Sequence, residues 1–202
     1  MRTRLIAAIA ASLFVFPILA DDKTTCVDGK EPAAIFEACG RLIASESESA
    51  HVKAVAYASI GLAHRRAKDF KAAETAYSSA IDLEPTMSAL FFNRGVVRYA
   101  QGDPKSAIDD FTRAIQLDPS DPQPLINRAI MYFEGDDYAP ALADMDAAIK
   151  LSPKTAMLFT YRAKIHLAAG NADRAIADFK QVLKLEPAND EAKAMLKDLS
   201  GE

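Results

Sequence analysis

A unit of 34 residues repeats four times along this chain, and its period limits the folds that the chain can adopt. Four prolines keep this spacing, each at the end of a short tail such as IDLEP or IKLSP: Pro85, Pro119, Pro153 and Pro187. Four alanines keep it as well: Ala73, Ala107, Ala141 and Ala175. A fixed period of this length is typical of arrays of helix pairs. We therefore expect an all-α solenoid, in which each unit buries its apolar face against its neighbours.

Within each unit, the apolar residues have the spacing of amphipathic helices. Tyr77 and Ile81 lie four residues apart and so share one helical face. Gly102 and Gly170 indicate the turn between the two helices of their units, and Gly135 indicates it one place earlier in its unit. The pattern therefore predicts two antiparallel helices in each unit.

These residues resemble the tetratricopeptide repeat, a helix pair of the same length. With first positions at Ala54, Ser88, Pro122 and Ala156, the large apolar residue of position four is Tyr57, Phe91, Leu125 and Phe159. The small residue of position eight is Gly61, Gly95, Ala129 and Ala163, and position twenty is Ala in all four units. The resemblance covers residues 54–187. It implies a right-handed superhelical solenoid of antiparallel helix pairs that binds other proteins.

The resemblance and the composition of the two ends predict seven segments. We expect residues 1–20 to be a signal peptide and residues 21–53 to be an N-terminal cap with a polar connector. The four repeats are residues 54–87, 88–121, 122–155 and 156–189, and residues 190–202 hold a C-terminal solvating helix and tail. Within the cap, the apolar spacing from Pro32 to Ser45 predicts the second helix of a degenerate repeat. At the other end, we expect the last helix to run from Glu191 to Leu199.

The first 20 residues have the pattern of a secretory signal peptide. Arg2 and Arg4 give the positive start, residues 5–19 are apolar, and Ala20 ends a plausible cleavage site. An apolar stretch of about 15 residues is short for a membrane-spanning helix, although an uncleaved anchor is the alternative. We expect export to the periplasm of a Gram-negative bacterium, with eukaryotic secretion as the other possibility. No membrane insertion is expected after the signal is removed.

The charge balance argues against two classes of partner. The formal net charge is −4, whereas nonspecific nucleic-acid binding needs a concentrated basic face. The same balance supplies no basic patch for an anionic membrane surface. We therefore expect another protein or a peptide as the partner, and no nucleic acid.

Cys26 and Cys39 are the two cysteines of the chain, and they lie shortly after the expected cleavage site. In an exported protein, such a pair is interpreted as a disulfide. Closing a loop of about 14 residues would stabilise the native state by roughly 3 kcal/mol. The disulfide would hold the incoming strand of chain against the cap helix. A redox or metal pair is the alternative, but the chain has no C-x-x-C motif to support it.

The motifs that carry catalysis are missing from the sequence. It contains no H-E-x-x-H, no G-x-S-x-G and no phosphate-binding G-x-x-x-x-G-K-[ST]. We expect a non-catalytic protein without catalytic residues, metal or cofactor. His64 and His166 share position eleven of their repeats, and we interpret both as packing residues.

Three arginines occupy position seven, where the family usually has Leu: Arg94, Arg128 and Arg162. The same repeats carry an aspartate at position twenty-three: Asp110, Asp144 and Asp178. The first repeat has neither charge, with Ile60 and Ala76 in the two places. Because the charges are present together or absent together, we predict a bridge between the two helices of repeats two to four. The alternative is a row of arginines that binds anions.

In the family, the first helices of successive pairs line a concave groove that binds a partner. Transferred position by position, the resemblance implies a groove formed by Phe92, Asn93, Val96, Tyr99, Ile126, Asn127, Ile130, Phe133, Thr160, Tyr161 and Lys164. Aromatic residues are frequent anchors of protein interfaces, and a carboxamide both donates to and accepts from a peptide backbone. This surface suits an extended or helical apolar peptide.

Some members of the family grip the C-terminal carboxylate of cytosolic chaperones with lysine, asparagine and arginine. Asn93 and Asn127 match the asparagine of that clamp, but Phe92, Met157 and Tyr161 stand where basic residues would be needed. The chain is therefore not expected to hold such a carboxylate. The functional prediction is an adaptor of the bacterial envelope, and the alternative is a module that self-assembles into a homo-oligomer.

Overall fold

The structure is a computed structural model that describes residues 21–200 and confirms the all-α solenoid. The predicted signal peptide, residues 1–20, lies outside the described residues. Between residues 21 and 200 the chain forms eleven helices and no strand. They are α1 (Asp22–Asp28), α2 (Pro32–Ala44), α3 (Ala50–Arg66), α4 (Phe70–Leu83), α5 (Ser88–Ala100), α6 (Pro104–Leu117), α7 (Pro122–Glu134), α8 (Tyr138–Leu151), α9 (Ala156–Ala168), α10 (Ala172–Leu185) and α11 (Asp190–Ser200). Each helix packs mainly against the helices next to it in the chain, and none of the eleven is long and apolar enough to cross a membrane.

Every predicted repeat contains the two expected helices, from α3–α4 to α9–α10. Helices α5, α7 and α9 begin at the first positions of their repeats, whereas α3 begins at Ala50, four residues ahead of Ala54. The side chain of Ser49 explains this earlier start, since it accepts a hydrogen bond from the Val52 amide at 3.2 Å and so caps the helix. Connector residues 45–49 therefore end at a helix cap.

Close contact between the paired helices depends on a small residue facing a large one. Gly95 of α5 lies against Phe111 of α6, and a Cβ atom on Gly95 would be 2.8 Å from the Phe111 ring. Gly61 faces Tyr77 in the same way. The aromatic rings of Tyr77 and Phe111 are almost completely buried. This complementarity fixes the distance between the two helices of a repeat.

The turn inside each repeat passes through a left-handed residue at one fixed position. That residue is Lys68, Gly102, Asp136 or Gly170, with φ between 60° and 82°. The next amide donates to a carbonyl five residues back, as in the 3.0 Å hydrogen bond from Asp103 N to Arg98 O, which closes the helix end. Gly135 lies in the turn of the third repeat, as predicted, but it is Asp136 that takes the left-handed conformation there.

The N-terminal cap is a complete helix pair, because the segment that leads into the cap helix is itself helical. Residues Asp22–Asp28 form the short helix α1, which packs on α2. The predicted disulfide joins these two helices, with the Cα atoms of Cys26 and Cys39 4.9 Å apart. Arg41 of α2 adds two hydrogen bonds to Asp22 at 3.0 and 2.6 Å. A covalent bond and an ion pair together hold a helix that is too short to be stable alone.

Candidate partner-binding groove

The first helices of neighbouring repeats lie side by side, so the predicted groove residues belong to one surface. The Tyr99 hydroxyl of α5 lies 2.8 and 2.7 Å from the two carboxylate oxygens of Glu134 on α7. Farther along the array, the Lys164 ammonium of α9 lies 2.8 Å from Glu191 on α11. Between them, Leu158 and Ile165 of α9 pack in one cluster with Ile126 of α7, so that α5, α7, α9 and α11 form a row.

An apolar strip runs along the middle of this row. Four of the predicted residues are partly exposed there: Phe92, Val96, Ile130 and Phe133. Their inner surfaces pack on buried residues of the core, for example Phe92 on the Phe111 ring with a centroid distance of 5.9 Å. Such residues are held in place by the fold and still offer apolar surface for a partner.

Ile126 belongs to the core more than to the surface. Only 6% of Ile126 is exposed, and it lies in the cluster of Leu125, Ala129 and Met145. Its position in the repeat does not reveal this burial. The reason is that neighbouring side chains, Ile130 and Tyr161 among them, pack against the same cluster. Ile126 therefore supports the strip from below and has little surface to contact a partner.

The two asparagines of the row have the same geometry one repeat apart. Asn93 Nδ2 donates to Ala89 O at 2.7 Å, and Asn127 Nδ2 donates to Gln123 O at 2.9 Å, each within its own helix. These bonds fix the orientation of both carboxamides. Each amide then retains a carbonyl oxygen and a second N–H group that can bond to the backbone of a peptide.

A polar cleft of about 300 Å³ lies at the C-terminal end of the row, between α9 and the start of α11. Three predicted residues, Thr160, Tyr161 and Lys164, share its lining with Met157, Glu186, Asn189 and Glu191. Met157 is 49% exposed and gives the cleft an apolar edge. Because hydroxyl, ammonium and carboxylate groups meet here, the cleft can hold a polar side chain next to an apolar one.

The predicted bridges between arginine and aspartate are confirmed in repeats two to four. The Nε–Oδ2 and Nη2–Oδ1 distances are 3.0 and 2.8 Å in Arg94–Asp110, 2.7 and 2.7 Å in Arg128–Asp144, and 2.9 and 2.6 Å in Arg162–Asp178. The hydrogen bond to Asp144 raises the pKa of the Arg128 guanidinium above its usual value. The bridges join the two helices of one repeat, as predicted.

Each of these arginines has a further partner that sequence reasoning missed. The remaining Nη1 atom of each arginine donates to a side chain of the preceding repeat. The acceptors are Ser78 Oγ at 3.1 Å for Arg94, Thr112 Oγ1 at 2.8 Å for Arg128 and Asp146 Oδ1 at 2.6 Å for Arg162. The sequence does contain a pattern that indicates this contact. A polar residue lies 16 places before each arginine, and the aspartate lies 16 places after it. Because the guanidinium groups are engaged on both sides, they do not form an open row for anions.

The two histidines at position eleven lie between helices. The His64 ring stacks on Phe36 of the cap with a centroid distance of 4.7 Å. His166 is 7% exposed, its Nδ1 atom has no hydrogen-bond partner within residues 21–200, and burial lowers its pKa. Across the same residues, no cluster of His, Cys, Asp and Glu side chains has the arrangement of a metal site.

Solved structures of tetratricopeptide repeat proteins resemble this chain. One from Parabacteroides merdae has a TM-score of 0.75 and 18% identity, over 90% of this chain and 70% of that one. YrrB, which has an unusual peptide-binding site, has a TM-score of 0.74 and 17% identity, over 91% and 92% of the two chains. The first repeat domain of Spaghetti (RPAP3), bound to an HSP90 peptide, is 30% identical with a TM-score of 0.53, over 57% of this chain and 91% of that one. No curated protein matches the chain significantly in sequence.

The sequence model of the tetratricopeptide repeat matches two long segments, residues 59–122 and 126–192. Together they contain most of the described helices, from α3 to the start of α11. This repeat fold is generally a non-catalytic scaffold for contacts between proteins. The chain belongs to the tetratricopeptide repeat family.

Proposed function

We propose that this protein is a non-catalytic adaptor of the bacterial envelope that binds an apolar segment of another protein along its row of first helices. The observation that carries the proposal is the strip of Phe92, Val96, Ile130 and Phe133, which is anchored in the core and partly exposed. Covering apolar surface of this kind contributes about 25 cal/mol for each Å² removed from water. The strip supplies affinity without any chemical step.

Asn93 and Asn127 would fix the direction and register of the bound segment. Their carboxamides are held in one orientation and repeat at the spacing of the helix pairs. The polar cleft around Tyr161 and Lys164 would then receive a polar side chain at the end of the segment. Binding of an HSP90 peptide by the RPAP3 domain supports peptide recognition in general. The basic residues of a carboxylate clamp are missing here, which favours an apolar segment over an acidic chain end.

Export to the periplasm is part of the proposal and is supported by two features. Residues 1–20 have the composition of a signal peptide, and Cys26 and Cys39 form a disulfide. Disulfides persist in oxidising compartments such as the periplasm and are rare in the cytosol. N-terminal sequencing of protein from fractionated cells tests this part. A chain that begins at Asp21 in the periplasmic fraction is expected, and an uncleaved cytoplasmic chain would contradict export.

Site-specific photo-crosslinking in cells tests the binding surface. A photoreactive amino acid in place of Val96 is expected to capture a partner, whereas one in place of Thr75, exposed on α4, is not. The variant Phe92→Ala/Ile130→Ala/Tyr161→Ala should abolish capture at position 96. A matched control, Ile108→Ala/Leu142→Ala/Leu151→Ala, removes apolar surface from second helices and should preserve it.

The outcomes of this experiment separate the two candidate functions. Capture of a different protein at position 96 supports the adaptor. Capture of a second copy of this chain would favour the alternative, a self-assembling module. Equal capture at positions 96 and 75 would mean that the row of first helices is not the binding surface.

A further inference from the structure

A second groove lies at the C-terminal end of the described helices, between α10 and α11. This terminal groove has a volume of about 690 Å³. Its floor is apolar and consists of Ile176, Leu183 and Leu196. Three lysines border the floor: Lys180, Lys193 and Lys197. The terminal groove shares no lining residue with the polar cleft or with the apolar strip, so it forms a separate surface.

The interior of the array shows what such a groove accommodates. Helices α8 and α9 form the equivalent surface one repeat earlier, and α10 packs against α9 beside it. Arg162 of α9 connects the three helices, since it donates to Asp146 of α8 at 2.6 Å and to Asp178 of α10 at 2.9 and 2.6 Å. The interior surface is therefore bordered by a 14-residue amphipathic helix whose Asp178 carboxylate binds Arg162.

The charges of the terminal groove differ from those of its interior counterpart. Counting 34 residues onward, Lys180 replaces the carboxylate of Asp146, Leu196 replaces Arg162, and Lys197 replaces the buried Ala163. Lys180 and Lys197 form no ion pair within residues 21–200, and Lys193 has only a 3.2 Å contact to Asp190 of its own helix. The groove thus combines an apolar floor with ammonium groups that lack carboxylate partners across it.

We propose that the terminal groove docks an amphipathic helix of a second protein, with an apolar stripe flanked by carboxylates. The apolar stripe would cover Leu183 and Leu196, and the carboxylates would face Lys180 and Lys197. Opposite charges at the border of an interface fix register and exclude partners of the wrong sign. The 14-residue helix α10, which borders the equivalent interior surface, suggests a docked helix of about four turns. An adaptor with this second surface could hold two proteins at once.

Two synthetic helical peptides test the proposal on the full chain by fluorescence anisotropy. The acidic probe has a leucine stripe flanked by glutamates, and its twin has lysines in place of the glutamates. We expect the acidic probe to bind at least about tenfold more tightly than the twin, an effect that weakens as salt is added. The variant Lys180→Glu/Lys197→Glu should reverse this preference.

A matched control separates local charge from net charge. Lys71→Glu/Lys105→Glu changes the net charge by the same amount at exposed positions of α4 and α6, and it should leave the preference unchanged. The variant Phe92→Ala/Ile130→Ala/Tyr161→Ala, which alters the row of first helices, should also leave the preference for the acidic probe unchanged. Loss of binding in either control would overturn the proposal.

Three further results would overturn it. They are equal binding of the two peptides, no binding of the acidic probe at about 1 mM, and an unchanged preference in Lys180→Glu/Lys197→Glu. Light scattering of the full chain without peptide tests a second copy as the occupant. A dimer that Lys180→Glu/Lys197→Glu dissociates would assign the terminal groove to self-association in place of a second protein.

Discussion

Arg128 and Asp144 form two parallel hydrogen bonds between α7 and α8, each 2.7 Å long. Their side chains are 17% and 9% exposed. Removing one charge leaves the other poorly solvated and without its partner. Asp144→Asn is therefore expected to lower the free energy of unfolding by about 2 kcal/mol. Urea denaturation followed by circular dichroism measures the change.

The first repeat supplies the control for this prediction. Ile60 and Ala76 occupy the places of the arginine and the aspartate there, and the helix pair still forms. The double variant Arg128→Ile/Asp144→Ala should lose less stability than the sum of its two single variants, because no charge remains unpaired. Additive losses would show that the two residues act independently.

Lys68 is the non-glycine residue in the left-handed turn of the first repeat, with φ of 60°. An L-residue with a side chain costs about 1 kcal/mol in this conformation, and glycine does not. Lys68→Gly is expected to raise the free energy of unfolding by about 0.5–1 kcal/mol. Gly102→Ala, at the equivalent position, should lower it. Thermal melts compare the two variants, and a shift in the same direction for both would contradict this account.

The disulfide stabilises the cap more than the rest of the array. Cys26→Ala/Cys39→Ala is expected to cost about 3 kcal/mol, since the crosslink restricts the unfolded chain. Repeats in a solenoid depend mainly on their neighbours, so the loss should be concentrated in α1 and α2. Hydrogen exchange should show faster exchange of the α2 amides and little change in α8. Equal acceleration in α8 would mean that the array unfolds as one unit.

Burial lowers the pKa of His166 below its usual value. Asp178 and Asp146 oppose this effect, and Arg162 and Arg174 add to it. The unfolded chain therefore binds a proton more readily than the folded chain, and the contribution of His166 to stability falls as the pH drops through about 6.5. The slope for one proton is at most about 1.4 kcal/mol per pH unit.

His166→Tyr tests this prediction, because Tyr132 occupies the equivalent place in the third repeat. Between pH 7.5 and 5.5, the native chain should lose more unfolding free energy than the variant in urea denaturation. The exposed His51 provides a control as His51→Gln. An identical pH response of the native chain and His166→Tyr would show that His166 does not couple stability to pH.

The repeat and the ion pairs were predictable because the residues that form them recur every 34 positions in the sequence. The 34-residue spacing of prolines and alanines gave the helix pairs. The joint absence of charge at Ile60 and Ala76 identified the arginine and aspartate positions as partners in the other repeats. Such coupled changes inside one chain indicate a contact without any second sequence.

Other features depend on tertiary contacts that no local sequence pattern indicates. Helix α1 has no apolar period of its own, and it forms against α2 through the disulfide and the Arg41–Asp22 pair. The turn at Asp136 lies next to Gly135, the residue that local propensity would choose. Ile126 has the spacing of a groove residue, but side chains from the next repeat help to bury it. These details require the assembled array.

The arginine contacts also make the length of the array adjustable. Each arginine binds its own repeat and the one before it through groups at fixed distances along the chain. If residues 94–127 were deleted, Arg128 would follow Asn93 and meet Ser78 where Arg94 meets it now. The same geometry would allow insertion of a copied unit. Repeats can thus be lost or duplicated while the arginine contact to the preceding repeat is kept, which would change the length of the binding surface and preserve its local form.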